Sequence, residues 1–159
     1  MTAAERLEAI EEIRRLKARY FRYVDTKEWE RWGALFVADC RFHDRAGDFR
    51  CAGRDELLRK VSAALDGVIS IHQGSMPEIE VEDADNATGV WTMSDYLQYP
   101  AGKSFQSQDG TVRVRGYGHY VERYRREAGQ WRFAEVTVSR LHLEYTGHLD
   151  AVHPRILAP

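Results

Sequence analysis

Helical spacing of apolar residues ends at Gly67, and beyond it the apolar stretches alternate. A chain that puts its helices first and its hairpin-linked strands later does not build a doubly wound parallel sheet; it lays helices against one face of an antiparallel one. The first helical stretch is long. Leu7, Ile10, Ile13, Leu16, Tyr20, Phe21 and Val24 recur at three- and four-residue steps, which predicts one buried stripe. Thr2 with Glu5 three residues on fits a capping box at its start. Trp29, Trp32, Leu35 and Phe36 form a second, shorter apolar face, and Leu57, Leu58, Val61, Ala64 and Leu65 predict a third helix over residues 55–65.

Between the second and third helices, Cys40-Arg41-Phe42-His43-Asp44 alternates like a half-buried strand, with Phe49-Arg50-Cys51 returning beside it past a turn at Arg45-Ala46-Gly47-Asp48. After Gly67, Val68 to Gln73 and Pro77 to Glu82 read as two short strands, and Ala84-Asp85-Asn86 turns the chain into a strand over Ala87 to Tyr99. Pro100 to Gly110 reads as a loop. Thr111 to Arg126 and Gln130 to Tyr145 then pair through Glu127-Ala128-Gly129. Long strands must curl, and Gly116 and Gly118, on one face, mark where a sheet bends or a ligand nears the backbone. The expectation is an α+β domain over residues 1–145, its curled sheet and helices enclosing a pocket in a cone. Residues 146–159 read as a C-terminal tail.

At 159 residues and 43% hydrophobic content the chain suits one domain with a real core. A net charge of −2 argues against nucleic-acid or anionic-membrane binding. Arg14, Arg15, Lys17, Arg19 and Arg22 cluster, but Glu8, Glu11 and Glu12 are interleaved with them, which predicts a solvated helix face. No apolar run approaches a membrane span and no signal-peptide pattern opens the chain, so a cytoplasmic protein is expected. Cys40 and Cys51 flank the hairpin, and its symmetry sets them opposite each other with Phe42 facing Phe49. Either a cross-strand disulfide or two buried thiols fits; a reducing compartment favours thiols. His142, Glu144, His148 and His153 match no ligand spacing, and Gly116-Tyr117-Gly118 lacks the helix a dinucleotide site needs, so neither metal nor cofactor is expected.

Six residues remain as candidates for chemistry. Asp25 lies where the first helical pattern ends, either as a cap for the next helix or as a partner for a distant side chain. His72 is a polar residue in an apolar strand and needs a hydrogen-bond partner; with a carboxylate beside it, it becomes a general base. His119 is placed by alternation with Tyr117, Arg115 and Arg113, either at the surface or, if a bulge shifts the parity, in the pocket. Arg140 shares a face with Val136 and Val138, so it either pairs with a buried carboxylate or aims at a ligand oxygen. Tyr20, one turn before Asp25, is a core residue or a hydroxyl donor. Asp44 either begins a turn or meets the ligand.

Several stretches together resemble a known family: Ile13 to Trp29, Ile69-Ser70-Ile71-His72-Gln73-Gly74-Ser75-Met76-Pro77-Glu78-Ile79, Ala87-Thr88-Gly89-Val90-Trp91 and Gly129-Gln130-Trp131-Arg132-Phe133. They are similar to the SnoaL-like branch of the nuclear transport factor 2-like superfamily, within it most of all to the bile acid 7-alpha-dehydratases and scytalone dehydratases. The resemblance covers most of residues 5–145. It implies the cystatin-like cone and catalysis without cofactor or metal, with the motif histidine at His72 and the motif aspartate at Asp25. It also places a pocket tyrosine at Tyr20, an arginine at Arg140 and a second histidine at His119. Two tyrosines of those dehydratases are replaced here, by Asp44 and Val24. What the resemblance implies is a lyase of the dehydratase type acting on a largely apolar cyclic hydroxy-ketone, in a homo-oligomer, dimer or trimer. The same superfamily holds isomerases, polyketide cyclases and noncatalytic assembly subunits, which stay open as alternatives.

Overall fold

The computed structural model describes residues 1–101 and 112–146. Helix α1 spans Ala3–Asp25 and opens with the expected box: the Glu5 amide donates to Thr2 Oγ1 at 3.2 Å and the Thr2 amide to the Glu5 carboxylate at 2.7 Å. Ile13, Leu16, Tyr20 and Val24 are buried as expected, but Leu7 is 67% exposed. At about 100° per residue, Leu7 lies roughly 140° from the centre of the stripe that Ala9, Ile13, Leu16, Tyr20 and Val24 define. Lys17 lies within roughly 60° of that centre. It is therefore buried, 1% exposed, rather than part of the solvated face. Its ammonium pairs with buried Glu122 and sits 3.4 Å from the Tyr120 ring centroid, and Glu122 in turn accepts from the Tyr124 hydroxyl. The solvated face does hold at Arg15, which pairs with Glu11 one turn earlier.

Helix α2 is short, Trp29–Gly33, because Phe36 already belongs to strand β1, Phe36–Asp44. Strand β2, Phe49–Ala52, returns antiparallel, with Cys51 opposite Phe42 and Phe49 opposite Asp44. The two cysteines are thus not opposite each other, contrary to the hairpin's apparent symmetry; the Cys40 carbonyl accepts from Gly53 instead, and both thiols are free and buried. Phe42 meets Phe49 diagonally, with ring centroids 6.0 Å apart. Helix α3, Arg54–Leu65, stops before Gly67, whose φ of +68° suits glycine alone at no strain.

The remaining strands are β3 Ile69–Val81, β4 Asn86–Tyr99, β5 Val112–Glu127 and β6 Gln130–Thr146. Strand β3 is one strand where two were expected. A bulge between Ser75 and Glu78, with Met76 at φ +49°, interrupts its alternation without ending its pairing to β4. The six strands run in the order β2-β1-β6-β5-β4-β3, all neighbours antiparallel except β1 beside β6. The sheet is curled and open, and α1 packs across β3 and β6 on its inner face. Tyr20, Trp32, Phe36, Tyr120 and Phe133 fill the space between. Among the described residues no helix is long and apolar enough to cross a membrane.

Candidate active site

Strict alternation along β3 turns Ser70, His72 and Gly74 inward while Ile69, Ile71 and Gln73 stay exposed. His72 thereby faces the end of α1. Asp25 is not a cap for α2, whose N-terminus has no side-chain cap. Its carboxylate crosses to β3 instead: Oδ2 accepts from the His72 amide at 2.8 Å, and Oδ1 lies 2.7 Å from His72 Nδ1. Gripping backbone and ring of one residue fixes the imidazole's orientation, and a carboxylate can only accept, so in the neutral ring Nδ1 carries the hydrogen and Nε2 the lone pair. Among the described residues no group bonds to Nε2. Asp25 and His72 are 21% and 12% exposed at their side chains, within reach of solvent and of a guest.

Across the sheet the inner face carries a second charged group. Asp95 on β4 lies directly opposite His72, and Arg140 on β6 reaches it over Gly116. The guanidinium holds Asp95 by contacts of 3.0 and 2.8 Å and Asp44 at 3.3 Å. Burial alone would pull Arg140 down, but the hydrogen bond to Asp95 and the charges of Asp44 and Asp95 outweigh it and hold the group above its ordinary value. Of the two readings open for Arg140, the buried carboxylate is therefore realised. Gly116 makes the arrangement possible. A Cβ there would stand 2.0 Å from Arg140 Nη1 and 2.3 Å from Asp95 Oδ1. Gly118 lies against the Ser139 carbonyl at a register shift between β5 and β6, so both glycines admit the protein's own groups.

Asp44 does begin the turn, its Oδ1 accepting from the Ala46 amide, while Oδ2 faces Arg140. Tyr20 is a core residue, 4% exposed, ringed by Phe21, Trp32, Phe36, Tyr120 and Phe133. Burial, then the charges of Glu122, Asp44 and Asp25, push its hydroxyl well above the ordinary phenol range. It thus reaches the interior as a neutral hydroxyl. His119 does not. The shift between β5 and β6 leaves the β5 parity intact, so His119 faces outward with Tyr117 and Val121, opposite Thr92 and Ser139. A groove of about 800 Å³ is lined by outward-facing Gln73, Thr92, Tyr117 and His119 and also by Phe21 and Met93. His72 borders it and Asp25 does not, and the two meet on the inner face. His142 and Glu144 approach to 3.5 Å beyond that groove; of the tail expected over residues 146–159, Thr146 ends β6 and the rest, with His148 and His153, lies outside the described residues.

Tyr20, Tyr120, Met93 and the Arg140–Asp95 pair fill the inner face beside the dyad, and the strand ends carrying Tyr99 and Tyr145 form its rim. Half-buried Phe42, Leu97 and Tyr99 pack against the core there, with Leu97 directly opposite Ser70. The charges of Arg140, Asp95 and Asp44 all act on the Tyr99 and Tyr145 hydroxyls, and burial raises both above their ordinary range. Sequence reasoning missed Asp95, Tyr99 and Tyr145. Asp95 had a signal, an acid in step with Trp91 and Met93 on an apolar face; the tyrosines had none, since β-strand tyrosines are common.

The SnoaL-like domain model matches residues 5–137. The chain belongs to the SnoaL-like family. A protein of Gibberella zeae named probable cyclase FGR4 is 23% identical to it over 145 residues, 85% of this chain and 93% of the relative. Among solved structures, a candidate scytalone dehydratase of Novosphingobium aromaticivorans superposes with a TM-score of 0.78 at 21% identity, covering 96% of this chain and 97% of that one. A type 2 hexachlorocyclohexane dehydrochlorinase, LinA, gives 0.78 at 17%, covering 96% and 99%. At such identities these likenesses establish the SnoaL-like cone, with dehydratase-, dehydrochlorinase- and cyclase-type proteins as its neighbours.

Proposed function

We propose that this SnoaL-like protein is a cofactor-free lyase that removes water from a largely apolar cyclic hydroxy-ketone. The observation that carries the reading is the double grip of Asp25 on His72, which orients the ring and, among the described residues, leaves Nε2 unbonded. His72 takes the proton next to the carbonyl, and the developing imidazolium is stabilised by Asp25. The enolate oxygen meets neutral hydroxyls, Tyr99 or Tyr145 at the rim or Tyr20 deeper in, which act as preorganised donors. With His119 on the other face, the proton that leaves with the hydroxyl returns from His72 itself, so that one enolate collapses to the unsaturated ketone and water. An isomerase would use the same dyad and return that proton to a different carbon.

A positioned base supplies roughly 10²- to 10⁴-fold. The test is a panel of cyclic β-hydroxy ketones followed by the ultraviolet absorbance of the conjugated product, with His72→Ala and Asp25→Asn beside the wild type. The expected result is turnover by the wild type and loss of at least about 100-fold in His72→Ala with an unchanged circular dichroism spectrum. Undiminished turnover in His72→Ala removes the histidine from the mechanism. Ile69, Ile71, Val121 and Leu141 give the outward sheet face an exposed apolar surface, which supports self-association of this chain.

A further inference from the structure

Asp25 does not hold His72 unaided. Its Oδ1 also accepts from Ser70 Oγ at 3.0 Å, and Ser70 Oγ lies 2.6 Å from Lys27 Nζ, which donates as well to the Val24 carbonyl at 3.3 Å. The polarity of this chain is fixed by its first member. An ammonium has hydrogens only to give, so Ser70 accepts from Lys27, and the one hydroxyl proton of Ser70 is free for Asp25 alone. Asp25 therefore receives three donors, the Ser70 hydroxyl, the His72 amide and the His72 ring, with a cation behind the first of them.

The backbone supplies an independent sign. Lys27 sits at φ +60°, in the left-handed region where glycine is unstrained and a lysine is not. Strain of this kind persists where the side chain is needed. Burial lowers the Lys27 ammonium from its ordinary range while the Asp25 charge acts to restore it, consistent with a cation kept in place by that carboxylate. Ser70 is buried on the inner face of β3, two residues before His72, so the same alternation that presents the base presents its brace.

We propose that Lys27 and Ser70 are positioning residues for the base: the ammonium commits the Ser70 proton to Asp25, and the carboxylate is thereby locked against His72. The inference rests on the reading of His72 as the base, but it is tested on the ring itself. In a protein labelled with ¹⁵N at histidine, the Nδ1 hydrogen of His72 gives a protected downfield proton signal, assigned by its loss in His72→Ala. That signal broadens away in Lys27→Gly and in Ser70→Ala and is retained in Lys27→Arg. Glycine removes the strain at position 27, so Lys27→Gly melts no lower than the wild type and the lost signal is not unfolding. With any substrate turned over, both variants lower kcat about 10- to 100-fold with little change in KM. An unchanged Nδ1 signal in Lys27→Gly and Ser70→Ala overturns the inference whatever the activity; the altered signal without turnover by any substrate upholds it and counts against the lyase reading instead.

Discussion

Replacing Arg140 by methionine isolates what the guanidinium does on the inner face. The Asp95 side chain is 1% exposed and the Asp44 side chain 23%, so the two carboxylates are not equal when the cation goes: Asp44 turns to water and Asp95 does not. Breaking a buried pair by removing one partner costs about 3–5 kcal/mol, because the other charge is left desolvated without compensation. With a urea m-value of about 2 kcal/mol/M, that loss lowers the unfolding midpoint by about 2 M. Replacing both members by apolar groups of similar size removes the uncompensated charge, and such exchanges are often neutral. Arg140→Met with Asp95→Leu is therefore expected within about 1–2 kcal/mol of the wild type, a coupling of at least about 2 kcal/mol. Urea titrations read by the fluorescence of buried Trp32, Trp91 and Trp131 measure all four corners of the cycle. A midpoint in Arg140→Met that moves by less than about 0.5 M, or a double variant whose loss is the sum of the singles, refutes the reasoning.

Gly116→Ala pushes a methyl into Arg140 Nη1 and Asp95 Oδ1 and is expected to cost about 1–3 kcal/mol, with most of that loss absent in the Arg140→Met, Asp95→Leu background; equal losses in both place the clash elsewhere. Lys17 is pulled down to about 8 by burial, against the opposing charge and hydrogen bond of Glu122. Between that value and the 10.5 of a free lysine the unfolded chain binds the extra proton, so this group's contribution to stability is full above 10.5, falls with pH, and is lost below 8. Lys17→Met is expected to remove a rise of up to about 1.4 kcal/mol per pH unit in that window, and urea midpoints at pH 7.5 and 9.5 check it.

Where one element decides a residue's surroundings, the sequence was enough. The capping box, the inward parity of His72 and the run of helices before strands all follow from local spacing, and all are present. Leu7 and Lys17 were misjudged although the information was there: linking apolar residues by single steps lets the stripe drift, whereas angular placement around one axis puts Lys17 in and Leu7 out. Cys40 and Cys51 show a different limit. Hairpin register follows the turn, and a shift of two residues keeps every side chain on its face, so no hydrophobic pattern distinguishes the observed pairing from the symmetric one. His119 turned on whether β5 carried the bulge, and the extra residue lies on β6, in a contact between strands that neither strand's own pattern records. Asp95 beside Arg140 is of the same kind, since an acid and a base 45 residues apart meet only through the order of three strands.

The position of Asp25 joins the fold to the proposed chemistry. It is the last residue of a 23-residue helix, where the partial negative charge of the helix end disfavours a carboxylate. Arg22 in the last turn of α1 adds a cation at that end, but the donors that reach the carboxylate come from β3: the His72 amide, the His72 ring and the Ser70 hydroxyl. Lys27, on the turn that leaves the helix, adds the charge. The groups that dock the helix end onto the sheet are thus the ones that orient the imidazole, so the ring is aimed by a contact the packed domain already requires. A lone histidine satisfied by the core would need only one acceptor at its ring. Asp25 also holds its backbone amide and is itself braced from behind, and that excess of constraint over what burial demands is the physical ground for reading His72 as a working base.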